Sequence, residues 1–483
     1  HSHDPPREAG PHPSPPETPT PRDPDSPVHM SEPEQATEKA KDLVRMAVYK
    51  ARNLQPLATT KLPVTPAALV VGGGLAGMTA ALSLARQGFL THLVEKEEEM
   101  GGNLRKLHFT LEYDDVQGYL EDIKRQVLSH GAIRVHTATR IANVLGFVGN
   151  FRTTLEKPGG ATEEVEHGVV IIATGARELE TREYLYGEDS RVLTQTEFEE
   201  RLAQPDPDLT RGEKRVVMIQ CVGSRNDERP YCSRFCCGQA VKNALRLKQL
   251  NPDADVFILY RDIRTFGTKE VYYQQAREAG VLFVPYETGQ PPRVERDGER
   301  LVVSFEDPGL GMPVKVDADA LVLSVATVSH PENQEIARLL KIPLTDEGFF
   351  LEAHMKLRPV DFATEGVFMC GLAHGPKFME ESIAQALAAA GRAATVLTKD
   401  EIEAEGKVAY VIAERCMACR LCELNCPFGA IVVDNEKAVA VVNEVLCKGC
   451  GVCTASCRSN AVDLKGFSNT QILDALMGFV ASR

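Results

Sequence analysis

The chain has 483 residues, 43% of them hydrophobic and 25% charged, and carries a formal charge of −14 at pH 7. That length suits about three domains, each with its own core. No apolar run approaches the ~20 residues of a membrane span, and the acidic balance argues against nucleic acid or anionic lipid as a partner, since both need clustered Lys and Arg.

In chain order, His1 to Met30 holds ten prolines and almost no large apolar residue. Such a segment cannot offset the entropy of ordering and is expected to be disordered. Gln35 to Leu54, with Ala40, Leu43, Ala47 and Ala51 at helical spacing, reads as one amphipathic helix. Ala67 to Val71 reads as a strand, Met78 to Arg86 as a helix stopped by Gly88, and a second strand ends at Val94. Between strand and helix lies Gly72-Gly73-Gly74-Leu75-Ala76-Gly77, which satisfies G-x-G-x-x-G. There the backbone and the helix N-terminus can meet a pyrophosphate. Glu95 follows 18 residues after Gly77, at the strand tip where a carboxylate accepts from ribose hydroxyls.

The segment from Lys96 on contains Gly101-Gly102-Asn103, and Ala173-Thr174-Gly175 comes later. These resemble the second glycine motif and the Ala-Thr-Gly segment of two-dinucleotide-binding flavoproteins, a resemblance that implies FAD. Those proteins usually carry Gly-Asp before their C-terminal helix, whereas this chain has Gly371-Leu372-Ala373, so the ribityl contact is expected to differ.

A second α/β unit opens with the strand Arg215 to Gln220, followed by a helix from Gln239 to Leu250 and the strand Val256 to Tyr260. Only one glycine precedes that helix, so pyridine nucleotide has no cradle. Cys221, Cys232, Cys236 and Cys237 stand there instead, at a helix start whose dipole favours thiolates. Four thiolates suit a 4Fe-4S cluster; zinc and a redox-active disulfide remain open on the residues alone. Gly366 to Gly371 and a helix from Glu381 to Leu397 return the chain to the first α/β domain, and Cys370 reads as a buried strand residue.

The thirteen cysteines are too dilute for a secreted disulfide scaffold. Nothing at the N-terminus reads as a signal peptide, and a reducing cytoplasm is expected. Eight of them crowd into two runs, Cys416-x2-Cys419-x2-Cys422-x3-Cys426-Pro427 and Cys447-x2-Cys450-x2-Cys453-x3-Cys457, the bacterial two-cluster ferredoxin pattern. Three thiolates of each run wrap one cubane and the fourth reaches across. Cys416, Cys419, Cys422 and Cys457 are therefore expected on one cluster, and Cys447, Cys450, Cys453 and Cys426 on the other. Arg458 replaces the proline expected after the last cysteine.

Gln220-Cys221-Val222-Gly223-Ser224-Arg225, followed by Arg229 to Cys237, resembles the signature of the HdrA subunit of heterodisulfide reductase. Ala36 to Ala47, Gly72 to Leu104, Tyr260 to Gly280 and Gly371 to Ala386 match as well. The resemblance implies that Cys221, Cys232, Cys236 and Cys237 hold a 4Fe-4S cluster near the flavin. It places Lys242 near the flavin N5, where a cation could stabilise reduced flavin, and Lys377 on a loop that approaches the flavin. It also implies a multi-subunit complex in which FAD is the site of electron bifurcation, with other complex subunits and electron-donor and ferredoxin-type proteins as partners, and it leaves a homodimer open. Longer members have an N-terminal iron-sulfur domain and some a ferredoxin insertion; with no cysteine before Cys221, neither is expected here.

The expected fold is thus α/β, a two-dinucleotide-binding-domain, thioredoxin-reductase-like flavoprotein with a C-terminal α+β ferredoxin domain of the bacterial 2x4Fe-4S type. Its expected divisions are a tail (1–33), a helix and linker (34–62), the first part of the FAD-binding domain (63–185), an inserted α/β domain (186–345), the second part of the FAD-binding domain (346–399) and the ferredoxin domain with a C-terminal helix (400–483). The expected function is conversion between two-electron flavin and one-electron cluster transfer in a heterodisulfide-reductase-like complex. The alternative is a stand-alone NAD(P)H:ferredoxin-type oxidoreductase.

Overall fold

The computed structural model describes residues 32–112, 114–204, 207–404 and 406–481; the proline-rich tail expected to be disordered lies outside them as far as residue 31. The chain forms two compact units, one from Thr60–Ala404 and the other from the segments before and after it.

The second of these units begins with helix α1 (Pro33–Ala51). The larger unit opens with the βαβ element expected from the sequence: strand β1 (Ala67–Val71), helix α2 (Leu75–Arg86) and strand β2 (Leu90–Val94). Helix α3 (Val116–Ser129) and strand β3 (Ile133–His136) follow. Three antiparallel strands, β4 (Arg140–Phe147), β5 (Asn150–Glu156) and β6 (Thr162–His167), form a meander before β7 (Val169–Ile172). Phe151, Thr153 and Leu155 alternate inward on β5, the pattern of a sheet with one buried face.

The chain then builds a second sheet from β8 (Val192–Thr194), β9 (Arg215–Val222), β10 (Asp255–Tyr260), β11 (Leu282–Pro285) and β12 (Ala320–Val325), with helices α4 (Gln195–Ala203) and α5 (Cys236–Leu250). It returns through β13 (Val367–Met369) and helix α6 (Met379–Leu397). The first sheet has the order β13-β7-β1-β2-β3 and the second β8-β12-β9-β10-β11, both parallel throughout. All of β1 and β12 is buried, because helices or further strands cover both faces of each sheet.

In the smaller unit β14 (Ala409–Val411), helix α7 (Leu421–Asn425) and β15 (Ile431–Asp434) are echoed by β16 (Val439–Val442), helix α8 (Val452–Ser456) and β17 (Val462–Leu464). β14 pairs with β17 and β15 with β16, antiparallel in each case. Helix α9 (Asn469–Val480) packs on α1. The Gln471 amide donates to the Asn53 carbonyl (2.8 Å), and Gly478 lies against Arg45, Met46 and Tyr49, so the two helices run antiparallel. The sequence alone sets α1 apart with a linker; in the fold it belongs with the cysteine-rich module.

Candidate functional site

At the C-terminal end of β1 three glycines turn the chain into α2. Gly72 has φ of +110°, and a methyl group there would meet the Ala173 carbonyl. A methyl on Gly77 would strike the Gly72 carbonyl, so only glycine lets the helix approach this closely. No side chain caps α2, which leaves the first-turn N–H groups of Leu75, Ala76 and Gly77 for an anion. The buried Glu95 carboxylate accepts from the Gly73 N–H (2.7 Å) and the Glu97 N–H (2.9 Å), which fixes it beneath the turn.

The other glycine segments gather at the same edge. Gly101 (φ +123°) donates to the Gly73 carbonyl (2.8 Å), Gly102 has φ of +51°, and the Asn103 amide donates to Ala176 (3.0 Å). Ala173 hydrogen-bonds to Val71 (2.8 Å), Thr174 donates to Asn333 (3.2 Å), and Gly175 has φ of +76°. A Cβ on Gly371 (φ +71°) would lie 2.7 Å from the Ala76 methyl. Lys96 pairs with Glu332 (3.1 Å), both of them partly exposed. A dinucleotide fits this cradle in its backbone donors and in the space left by missing side chains.

On the second sheet, β9 carries a bulge. Ile219 pairs with Leu323 and Val222 with Val325, so Gln220 and Cys221 together oppose one residue. Cys221 takes a left-handed conformation (φ +63°); such bulges re-aim side chains beside functional sites. Cys236 and Cys237 occupy the first turn of α5, and Cys232 lies in the loop before it, accepting from the Arg234 N–H (3.3 Å). A hydrogen bond with Cys237, burial and the Cys221 and Cys232 thiols all raise the Cys236 thiol, so the other three lie within electrostatic reach of it. Cys237 is lowered, first by the Cys236 thiol and then by the Arg264 and Arg225 groups that face it. Arg225 also approaches Cys221 and is braced by Asp262 (2.6 Å). Among the described residues no three His, Cys, Asp or Glu side chains are set as ligands of one metal ion; a four-iron cubane holds its thiolates wider apart than a single ion does.

Lys242 is not on an open helix face. Its ammonium donates to Glu199 (2.6 Å) and to the Phe109 carbonyl (2.8 Å), with both charges buried. Burial lowers its pKa. Lys377 donates to the Gly371 and Gly375 carbonyls (2.7 and 2.8 Å), and burial pulls it down to about 8. Arg234, just past Cys232, binds Glu381 (2.7 Å) and the Pro376 carbonyl (3.2 Å), tying the cysteine loop to the Lys377 loop. Cys370 is fully buried, and burial raises its thiol to about 12. Glu199 carries no signal in the sequence, standing among the acidic residues of an ordinary amphipathic helix.

In the smaller unit the two cysteine runs share one backbone pattern. Ala418 and Gly449 have φ of +51° and +60°, and Arg420 and Gly451 have +63° and +78°. Left-handed conformation costs a non-glycine residue ~1–2 kcal/mol, so Ala418 and Arg420 hold strain at this loop. Backbone donors to sulfur recur too: Ala430 donates to Cys426 and Ala461 to Cys457 (3.2 Å each). Ala440 donates to Cys416 (3.4 Å) and Ala409 to Cys447 (3.3 Å), each across to the other half. Cys426 of the first run lines an apolar pocket together with Cys447, Cys450 and Cys453 of the second. Burial, then Cys447, Cys426 and Cys450, raise the Cys453 thiol to about 11. Cys422 is raised by burial and by Cys416 and Cys419. The set of Cys426 with Cys447, Cys450 and Cys453 fits a cubane, and Cys416, Cys419 and Cys422 gather under the same backbone pattern.

Two parallel sheets, the first with a dinucleotide turn, in one chain with a ferredoxin module define an iron-sulfur flavoprotein of the two-dinucleotide-binding-domain class. The Pyridine nucleotide-disulphide oxidoreductase family matches residues 66–219, and the 4Fe-4S binding domain matches residues 409–432. The HdrA subunit of the H(2):CoB-CoM heterodisulfide,ferredoxin reductase of Methanothermobacter thermautotrophicus is 35% identical, over 86% of this chain and 77% of that protein. The iron-sulfur HdrA subunit of the CoB--CoM heterodisulfide reductase of Methanocaldococcus jannaschii is 33% identical, over 93% and 83%. Among solved structures, the thioredoxin reductase of Lactococcus lactis aligns with a TM-score of 0.48 at 18% identity, over 69% of this chain and 99% of that one. The chain belongs to the HdrA family of heterodisulfide reductase subunits. It is an oxidoreductase, an iron-sulfur flavoprotein electron-transfer subunit whose cofactors are FAD and 4Fe-4S clusters. Among the described residues no helix is long and apolar enough to cross a membrane.

Proposed function

We propose that this chain binds FAD over the Gly72–Gly77 turn and holds three 4Fe-4S clusters. Two sit in the ferredoxin module, with Cys457 and Cys426 exchanged between the runs, and the third on Cys221, Cys232, Cys236 and Cys237. The flavin supplies two-electron chemistry and the clusters one-electron chemistry. In this reading the α2 N-terminus receives the pyrophosphate and Glu95 the ribose, while Lys377 and the Lys242–Glu199 ion pair lie toward the isoalloxazine. The observation that carries the reading is the convergence of four cysteines at the bulged end of β9, where a pyridine-nucleotide reductase would carry its second glycine turn.

The work is done in the cytoplasm within a heterodisulfide-reductase-like complex, with other subunits and ferredoxin-type proteins as electron partners. The relative from Methanothermobacter thermautotrophicus is named for two acceptors, a heterodisulfide and ferredoxin. Division of an electron pair between two such acceptors, electron bifurcation at the flavin, is the reading carried over to this chain. Anaerobically prepared protein should hold about twelve irons per flavin, four for each cubane, and its flavin should not bleach rapidly with NADH or NADPH. About eight irons would remove the third cluster. Rapid bleaching by either nucleotide would instead favour a stand-alone NAD(P)H:ferredoxin-type reductase.

A further inference from the structure

Beside the four converging cysteines lies a buried amide with no hydrogen-bond partner. Gln220 is 0% exposed, and neither Nε2 nor Oε1 is paired. On β9, Val216 and Met218 face the core beneath α5, and strand alternation turns Gln220 to the same side. Helix α5 presents Cys236, Ala240 and Asn243 inward at i, i+4 and i+7, all buried. The other amides of this interior are partly paired: Asn243 donates to the Gln195 backbone and side-chain carbonyls (3.0 and 2.8 Å), Gln195 donates to Ser324 (3.2 Å), and Asn243 Oδ1 is left without a partner. Gln220 is left out of that network, one residue before Cys221 and on the face that holds Cys236.

Buried amides almost always find a partner, so an orphan beside a thiol set points to a group that arrives with the cofactor. We propose that Gln220 Nε2 donates a hydrogen bond to sulfur of the cluster on Cys221, Cys232, Cys236 and Cys237, as a positioning residue that raises its reduction potential. This rests on the reading that those cysteines hold a 4Fe-4S cluster. Four thiolates already make the cluster anionic, and reduction adds one more negative charge. A donor to sulfur therefore stabilises the reduced form more than the oxidised one.

The test uses the full chain with its cofactors and the variants Gln220→Leu and Gln220→Met, which remove the donor at nearly constant volume. Both should retain the wild-type ratio of iron to flavin. In an EPR-monitored titration the midpoint of this cluster should shift to more negative potential, while those of the two ferredoxin-type clusters stay in place. Electron-nuclear double resonance should lose one proton coupling that exchanges in deuterium oxide. If either variant holds full iron yet keeps the same midpoint and the same coupling, the amide serves only a buried water and the proposal is overturned. If Gln220→Leu fails to fold, Gln220→Met alone decides. Wild-type protein with iron for two clusters only would overturn the assignment of the four cysteines themselves, a failure that iron analysis distinguishes from the first.

Discussion

The Lys242 ammonium lies 2.6 Å from the Glu199 carboxylate, and both side chains are buried. The same carboxylate accepts from the His108 N–H (2.7 Å), and Lys242 also donates to the Phe109 carbonyl (2.8 Å). One ion pair therefore fastens the chain after the Gly101-Gly102 turn onto α4 and α5. Removing one member of a buried pair strands the other charge, at about 3–5 kcal/mol. Glu199→Ala and Lys242→Met should each lower stability by about that amount in denaturant unfolding. The double variant Glu199→Ala, Lys242→Met should recover much of the loss, and a double variant as unstable as the two losses added would show that the charges do not interact.

The flavin cradle gives a second expectation. Glu95 accepts from one backbone donor on each oxygen, so Glu95→Gln gives up one of those bonds, loosens the turn locally and should weaken its hold on the ribose hydroxyls. Gel filtration should then strip FAD from the variant at concentrations at which wild type stays yellow, with unchanged circular dichroism. Gly77→Ala would force its methyl into the Gly72 carbonyl and should lose FAD together with stability. A Gly77→Ala protein that retained flavin fully would contradict the close approach of α2 to the turn.

Much of this cradle is legible in the sequence because its physics is local. β1 lies at the strand expected over Ala67–Val71, since a parallel strand buried on both faces reads as one apolar run. Helices α2 and α5 start earlier than their periodicity suggests, at Leu75 and Cys236 rather than Met78 and Gln239, because glycine and cysteine turns carry little helical pattern. The packing of α1 on α9 is invisible in sequence: it joins distant parts of the chain through a groove at Gly478. Glu199 and Gln220 are hidden for the same reason. Their importance lies in what surrounds them, and a carboxylate in an amphipathic helix or an amide in a strand announces no partner.

In the ferredoxin module the exchange of fourth ligands can be separated cluster by cluster. Cys426 shares its pocket with Cys447, Cys450 and Cys453, so Cys426→Ser should disturb the cluster of the second run and spare that of the first. Cys457→Ser should do the reverse. EPR of each reduced variant should show one ferredoxin-type signal altered, and a different one in each. Gly449→Ala should act like Cys426→Ser, because its methyl would run into the Lys407 carbonyl at a left-handed position.

The last expectation concerns acid. His167 on β6 is fully buried, with its Nε2 2.7 Å from the Thr153 hydroxyl and its Nδ1 3.0 Å from the Val169 carbonyl. A neutral imidazole protonated on Nδ1 satisfies both contacts, donating to the carbonyl and accepting from the hydroxyl. Burial lowers its pKa to about 3, with His92 adding to the effect and the bond to Val169 opposing it. In the unfolded chain the group titrates near ~6.5, so the unfolded state takes up the proton first as pH falls. The contribution of His167 is therefore complete above about pH 6.5 and declines toward about pH 3, with a limiting slope of ~1.4 kcal/mol per pH unit. His167→Asn keeps a donor for Val169 but has no such titration. Its unfolding midpoint should lie below that of wild type at pH 7.5 and approach it steadily at pH 5.5 and 4.5. Parallel curves across that range would show that the imidazole does not take up a proton on unfolding.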